Sequence, residues 1–311
     1  MISGRKLKLS ILRRNYSGES NIANLWKDHF SAIANSVGST DNRDQVMSAL
    51  RTVPGHNDVI NVHELRKIVK GLKNNKAVGN DGIPSEVYKF ASERLLTMMS
   101  IFFSSCMLTG KLPSTLIHAL VIPLLKYRSK YPADVNNYSP IAYATALSKV
   151  HEQVSLSRLA SYLWTADSQF GFKQSHWTEI AIFALKQTVD FYCNQDTPIY
   201  MCFLDTKNAF DWVVHWTPAK KLGRNMPLHS VKLFIFWYRK QEFMEPSGNS
   251  LSMTFRCSYG IRQGGQLSPL SSNVYIYIDN QNHRLGATGV GSNVGGTCMG
   301  IHSLSYADYM V

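Results

Sequence analysis

The stretch Ile199-Tyr-Met-Cys-Phe-Leu-Asp205-Thr-Lys-Asn-Ala-Phe-Asp211 decides the fold. Its opening residues are almost wholly apolar, stop abruptly at Asp205 and are too few for a stable helix, so they read as a buried strand delivering a carboxylate at its end. A second strand signal, Ser303 to Ala307, delivers Asp308. Between the two lies Gly260-Ile-Arg-Gln-Gly-Gly-Gln-Leu-Ser-Pro269, whose glycines permit close backbone approach.

Two strand-end carboxylates and a Gly-rich segment in a basic protein suit phosphoryl transfer with magnesium. Hard cations prefer oxygen ligands, and a metal pair can activate an attacking hydroxyl and stabilise leaving pyrophosphate. Taken singly, Asp205 or Asp308 fits a helix cap or a turn better than a metal site.

The 311 residues suffice for two domain-sized units, and 44% hydrophobic with 11% aromatic content supplies a buried core. A formal charge of +12 exceeds what solubility requires and points to a polyanionic partner. Cys106, Cys193, Cys202, Cys257 and Cys298 form no CxxC pair, so neither a zinc site nor a disulfide framework is indicated, and an intracellular, reducing compartment is expected. No apolar run approaches the roughly 20 residues needed to span a bilayer. Arg5, Lys6, Lys8, Arg13 and Arg14 without an acid superficially resemble a transit peptide, although a basic, solvated, frayed end fits better.

Working outward, Ile22, Leu25, Trp26, Phe30 and Ile33 follow helical spacing, as do Val62, Leu65, Ile68, Val69 and Leu72 behind an Asn61/Glu64 capping box. Lys67, Lys70, Lys73 and Lys76 give that second helix a basic outer face, solvated or available to phosphate. A Gly79 to Pro84 loop precedes a helix expected over 85–103, then a strand over 119–125. Helices are expected over 142–163, 178–191, 215–222, 230–238 and 271–285, and a strand over 251–256.

Asp205-Thr-Lys-Asn-Ala-Phe-Asp211 resembles the first palm motif of reverse transcriptases, Gly260 to Pro269 the second, and Tyr306-Ala-Asp308-Tyr309 the third. Lys76-Ala-Val-Gly-Asn-Asp-Gly-Ile-Pro84, Asn137-Tyr-Ser-Pro-Ile141 and Gln169-Phe-Gly-Phe172 resemble upstream motifs of the same family, all in the family's order. Asn273, Tyr275 and Asp279 continue the pattern, while Ser271 and Ser272 stand at usually apolar positions and Asn280 at one often acidic. The likeness covers roughly residues 60 to 311 and is nearest to the jockey-like, LINE-type elements among non-LTR retrotransposons.

The resemblance implies RNA-directed DNA synthesis, with Asp205 and Asp308 as catalytic ligands of two Mg2+ ions, and an RNA template, a DNA primer and deoxynucleoside triphosphates as partners, with no membrane. It assigns Lys126 to the triphosphate and Phe210 to the sugar, where a phenyl ring would clash with a 2′-hydroxyl. Arg262, Gln263 and Gly264 fall to nucleotide and template. Two positions depart from the family pattern: Ser139 stands for an arginine that grips the triphosphate, and Tyr309 for a second aspartate.

The expected architecture is α+β, the fingers and palm of a right-hand polymerase, with an antiparallel palm sheet packed by helices and no thumb. Residues 1–58 are expected to form a basic, helical extension, 59–198 the fingers and 199–311 the palm. Because the chain ends two residues after Tyr309, the hairpin's second strand is expected to be missing and the sheet edge exposed. Two functions fit: an RNA-directed DNA polymerase, inactive through Tyr309 and Ser139, or a non-catalytic remnant that at most binds nucleic acid. A related palm polymerase, such as a maturase or an RNA-templated RNA polymerase, fits Phe210 and the Arg-Gln-Gly string less well.

Overall fold

A computed structural model describes residues 18–35, 43–51, 59–162, 168–173, 175–206, 209–275, 303–307 and 309–311. The helices are α1 (Glu19–Ala34), α2 (Arg43–Arg51), α3 (Val62–Lys70), α4 (Ser85–Lys89), α5 (Glu93–Thr109), α6 (Ser114–Ile117), α7 (Ala146–Leu159), α8 (Thr178–Cys193), α9 (Trp216–Leu222), α10 (Leu228–Arg239) and α11 (Ser268–Tyr275). The strands are β1 (His118–Leu125), β2 (Tyr138–Ala144), β3 (Leu204–Asp205), β4 (Glu242–Met244), β5 (Pro246–Ser247), β6 (Ser250–Leu251), β7 (Phe255–Arg256), β8 (Ser305–Tyr306) and β9 (Tyr309–Met310). The result is a mixed α+β fold whose central sheet is packed by helices. Two compact units share the chain: one holds 1–161 with 210–268, the other 162–209 with 269–311.

In the first unit the sheet order is β2-β1-β4-β7. The β1–β2 and β4–β7 pairs are antiparallel, but β1 and β4 run parallel, so this sheet is mixed. Alternation along β1 and β2 sends Ala119, Val121, Tyr138, Ala142 and Ala144 into one core, where Ile22, Trp26 and Phe30 of α1 meet them with Phe243 and Phe255. Trp26 stacks on Phe30 at 5.5 Å and meets Tyr138 edge-on at 4.7 Å. A second apolar layer forms where α3 packs on α5 and α7, burying Leu65, Val69, Leu96, Met99, Phe103, Val150 and Val154.

Helix starts follow local chemistry. The Asn61 side chain accepts from the His63 amide at 2.6 Å, as the capping signal anticipated, while Glu64 pairs with Arg158 at 2.8 Å instead of closing the box. The single helix expected over 85–103 is two helices, because Ser92 caps a new start by accepting from Leu95. The helix expected from 142 begins at Ala146: residues 142–144 complete the ladder with β1, and Thr145 caps α7 through the Ser148 amide at 3.1 Å. The strand expected over 251–256 survives only as β6 and β7, and the helix expected over 271–285 is described as far as Tyr275.

Gly79 in the Gly-Asn-Asp-Gly-Ile-Pro loop explains itself: a Cβ there would lie 2.6 Å from the Thr145 Cα. Asp81 holds the same turn by accepting from the Ile83 amide at 3.1 Å.

In the second unit the three-stranded sheet runs β3-β9-β8, antiparallel throughout. Two expectations are corrected here. The hairpin's second strand exists as β9, and it is the central strand, flanked by both neighbours. The run before Asp205 is not buried: Tyr200, Phe203 and Leu204 are 92%, 66% and 54% exposed, because β3 is two residues long and lies at the sheet edge.

Candidate active site

Within the second unit, β3 places Asp205 opposite Tyr309, and β8 places Tyr306 opposite the same residue. Antiparallel partners project from one face with Cβ atoms about 4.5–5.5 Å apart, so the carboxylate and the phenol are cross-strand neighbours. Both side chains are exposed. Strand β8 ends at Tyr306 and β9 begins at Tyr309, and Ala307 after β8 has φ 57, a left-handed turn conformation. Asp308 itself lies outside the described residues, as do Asp279, Asn280 and Cys298.

The loop is held by the Gln-Phe-Gly segment. The Gln169 side chain accepts from the Ala307 amide at 3.1 Å and from the Gly171 amide at 2.8 Å, and it donates to the Ala307 carbonyl at 3.3 Å. Its backbone neighbours pair with Ser305: Phe170 donates to the Ser305 carbonyl and Ser305 to that of Ser168, each at 2.8 Å. A Cβ at Gly171 would fall 2.1 Å from the Ala307 nitrogen, so glycine is required. Asn273 donates to the Gly171 carbonyl at 2.9 Å. Gln169 is 2% exposed, and sequence reasoning gave it no role beyond its motif.

Among the described residues no three of His, Cys, Asp and Glu gather where they could hold one metal ion. Asp205 contributes one carboxylate to this sheet, and the neighbouring Tyr309 offers a phenol, a poor ligand for a hard divalent cation at neutral pH.

Within the first unit, Lys126 leaves the end of β1 with its amide bonded to the Asn137 carbonyl at 2.8 Å. Asn137, 3% exposed, fixes the adjoining loop by accepting from the Tyr127 amide at 3.1 Å and donating to the Tyr127 carbonyl at 2.9 Å. Ser139 lies opposite Leu124, so strand alternation sets Ser139 and Lys126 diagonally on one face. An arginine at 139 would double the positive charge there.

The Gly260–Pro269 segment threads alongside. Gly260 and Ile261 donate to the Val213 and Phe210 carbonyls, and Ala142 donates to that of Gln263. Gly264 has φ 108, and a Cβ there would meet the Ala142 carbonyl oxygen at 2.9 Å. Phe210 is half-buried. Gln263 donates to Asp211 at 3.3 Å. Burial raises the Asp211 carboxyl above its ordinary range, opposed by nearby Lys126 and the Gln263 bond. The Asp205–Asp211 stretch ends on Asp211, and only the structure associates it with Lys126.

Arg262, expected at nucleotide or template, is buried within the first unit. It is 3% exposed, donates to the Ile117 carbonyl at 2.5 Å, lies 3.5 Å from Glu152 and sits over the Trp237 ring at 5.1 Å. Glu152, 1% exposed on α7, also accepts from the Gln266 and Leu267 amides at 2.5 and 3.2 Å and so anchors the whole glycine segment. Burial pushes the Glu152 carboxyl up, opposed by Arg262 and those two amides. A lone glutamate on a helix gives no sequence signal for this role.

No family model matches the chain. It is 27% identical over 234 residues to the RNA-directed DNA polymerase from mobile element jockey of Drosophila funebris, covering 72% of this chain and 25% of that protein. To the probable RNA-directed DNA polymerase from transposon BS of Drosophila melanogaster it is 25% identical over 226 residues, covering 70% and 24%. To the retrovirus-related Pol polyprotein from type-1 retrotransposable element R1 of Bradysia coprophila it is 24% identical over 194 residues, covering 60% and 19%. The chain therefore resembles polymerases of several non-LTR retrotransposons and spans about a quarter of the length of the curated relatives it matches. No described helix is long and apolar enough to cross a membrane.

Proposed function

We propose that this chain carries the fingers and palm of a non-LTR RNA-directed DNA polymerase whose nucleotidyl transfer is silent. The observation that carries this reading is the pairing of Asp205 with Tyr309 across β3 and β9. A phenol with a reference pKa near 10 stays neutral where the family places a carboxylate, so the charge that would hold a cation is reduced. Mg2+, bound by Asp205 with Asp308, would supply Lewis acidity and neutralise charge on the transferred phosphoryl group.

Other residues of the chain divide the remaining work. Lys126 would steady the triphosphate alone, because Ser139 on the same strand face brings no charge. Phe210 would exclude a 2′-hydroxyl, and Gln263 would orient nucleotide or template from its bond to Asp211. Arg262 and Glu152 act at one remove, by fixing the glycine segment. Loss of one charged group from such a device costs several kcal/mol of barrier.

The test is extension of a DNA primer on an RNA template. The native chain should give no more product than Asp205→Ala, whereas Tyr309→Asp combined with Ser139→Arg should give product that Asp205→Ala abolishes. Extension by the native chain above the Asp205→Ala background would overturn the silent reading. A repaired chain that binds primer and template yet never extends would overturn the catalytic assignment.

A further inference from the structure

Away from the motif residues, the first unit holds a cavity of about 630 Å3 lined by α2, α9, α10 and the β7 strand with the residues that follow it. Its lining includes Arg43, Arg51, Lys232, Arg239, Lys240 and Arg256 and, among the described residues, no carboxylate. Glu242 offsets Arg256 from outside the lining, through bonds of 2.5 and 2.9 Å, and Asp44 neighbours Arg43 on α2. Like charges at this density repel, and the Arg239 guanidinium is held below its ordinary range by burial and by nearby Arg43. A bound polyanion would reverse that repulsion.

Aromatic rings share the same wall. Arg239 lies over Trp216 at 5.0 Å and Lys240 over Phe236 at 6.0 Å, with Tyr259 across the lining. Cations interleaved with aromatic side chains along a groove are the combination that tracks a single nucleic-acid strand. The volume falls within the roughly 300–1,000 Å3 of ligand sites.

We infer that this cavity is a second contact for a single nucleic-acid strand, separate from the nucleotide and template residues. Binding here does not require polymerase activity, so primer extension is not its readout. Fluorescence polarisation with short labelled single-stranded RNA and DNA, from about 50 to 200 mM salt, measures affinity and its salt slope.

Arg43→Gln, Arg51→Gln and Lys240→Gln together should lower the slope by about 2, at about 0.7 per phosphate contact, and weaken binding about tenfold or more. Exchanging Arg for Lys and Lys for Arg at the same positions should restore most of both. RNA and DNA should lose affinity alike if phosphates dominate, and a larger loss for RNA would add a 2′-hydroxyl contact within the same site. An unchanged slope overturns the proposal, as does an equal loss from Lys67→Gln with Lys70→Gln on α3, which would mean diffuse surface charge. Full displacement of the strand by inorganic tripolyphosphate at matched phosphate concentration would replace a strand site by a polyphosphate site. Should the triple variant unfold, Arg51→Gln alone carries the same expectation, with a slope change of about 0.7.

Discussion

Tyr309 faces Asp205 across two strands, and the loop that precedes it hangs on one amide, Gln169. Replacing Gln169 with Leu keeps the bulk but removes three hydrogen bonds, leaving the Ala307 and Gly171 amides short of an acceptor. The expected cost is about 1–3 kcal/mol, seen as faster hydrogen exchange at Ala307 and Met310 with exchange in β1 and β2 unchanged. Exchange at the hairpin that matches the native chain would remove Gln169 from this role. The sequence made Asp205, Lys126 and Tyr309 legible, because short motifs carry them. Gln169 and Asp211 were visible only as motif members and Glu152 not at all, because the partners that define their roles lie up to 138 residues away.

Two histidines set an acid limit. His151, 1% exposed between Phe103 and Trp237, and His215, 2% exposed, are both lowered by burial from 6.5 to about 4. Between pH 6.5 and about 4 the unfolded chain therefore binds more protons than the folded one. Stability from each is complete above pH 6.5 and is lost as pH falls toward 4, on the order of 3 kcal/mol per histidine. Urea midpoints across that window should fall with pH, and His151→Phe, which keeps a ring against Trp237, should flatten the fall.

At the level of elements, α1 covers the β1–β2 face with Ile22, Trp26 and Phe30. Trp26, 2% exposed, anchors that contact, and Trp26→Ala should cost about 3–5 kcal/mol in denaturant unfolding. A loss under 1 kcal/mol would mean that α1 is peripheral to the sheet. The spacing of Ile22, Trp26 and Phe30 revealed this helix, but not that its partner is a sheet formed about 100 residues later. Period and capping residues recovered most helices. They failed where a ladder outcompeted helical spacing, at 142–144, and where a capping serine split an apolar run, at Ser92. The strand at Asp205 was foreseen in kind and wrong in setting: an apolar run signals burial only if a sheet is wide enough to cover it, and β3 lies at an edge.

On the scale of the whole molecule, the α+β class was legible, whereas a mixed central sheet was not, since no local signal sets the parallel pairing of β1 with β4. The interleaving of the two compact units is equally invisible in composition. The charge of +12 belongs at this scale too, and its concentration around one cavity accounts for a specific part of it. Likeness to retrotransposon polymerases at 24–27% identity supports the family reading, while Tyr309 and Ser139 argue that catalysis has lapsed within it. Primer extension on an RNA template, comparing the native chain with Tyr309→Asp/Ser139→Arg and with each carrying Asp205→Ala, tests that claim most directly. Asp205-dependent product is expected from the repaired chain alone, and Asp205-dependent product from the native chain would overturn the silent reading.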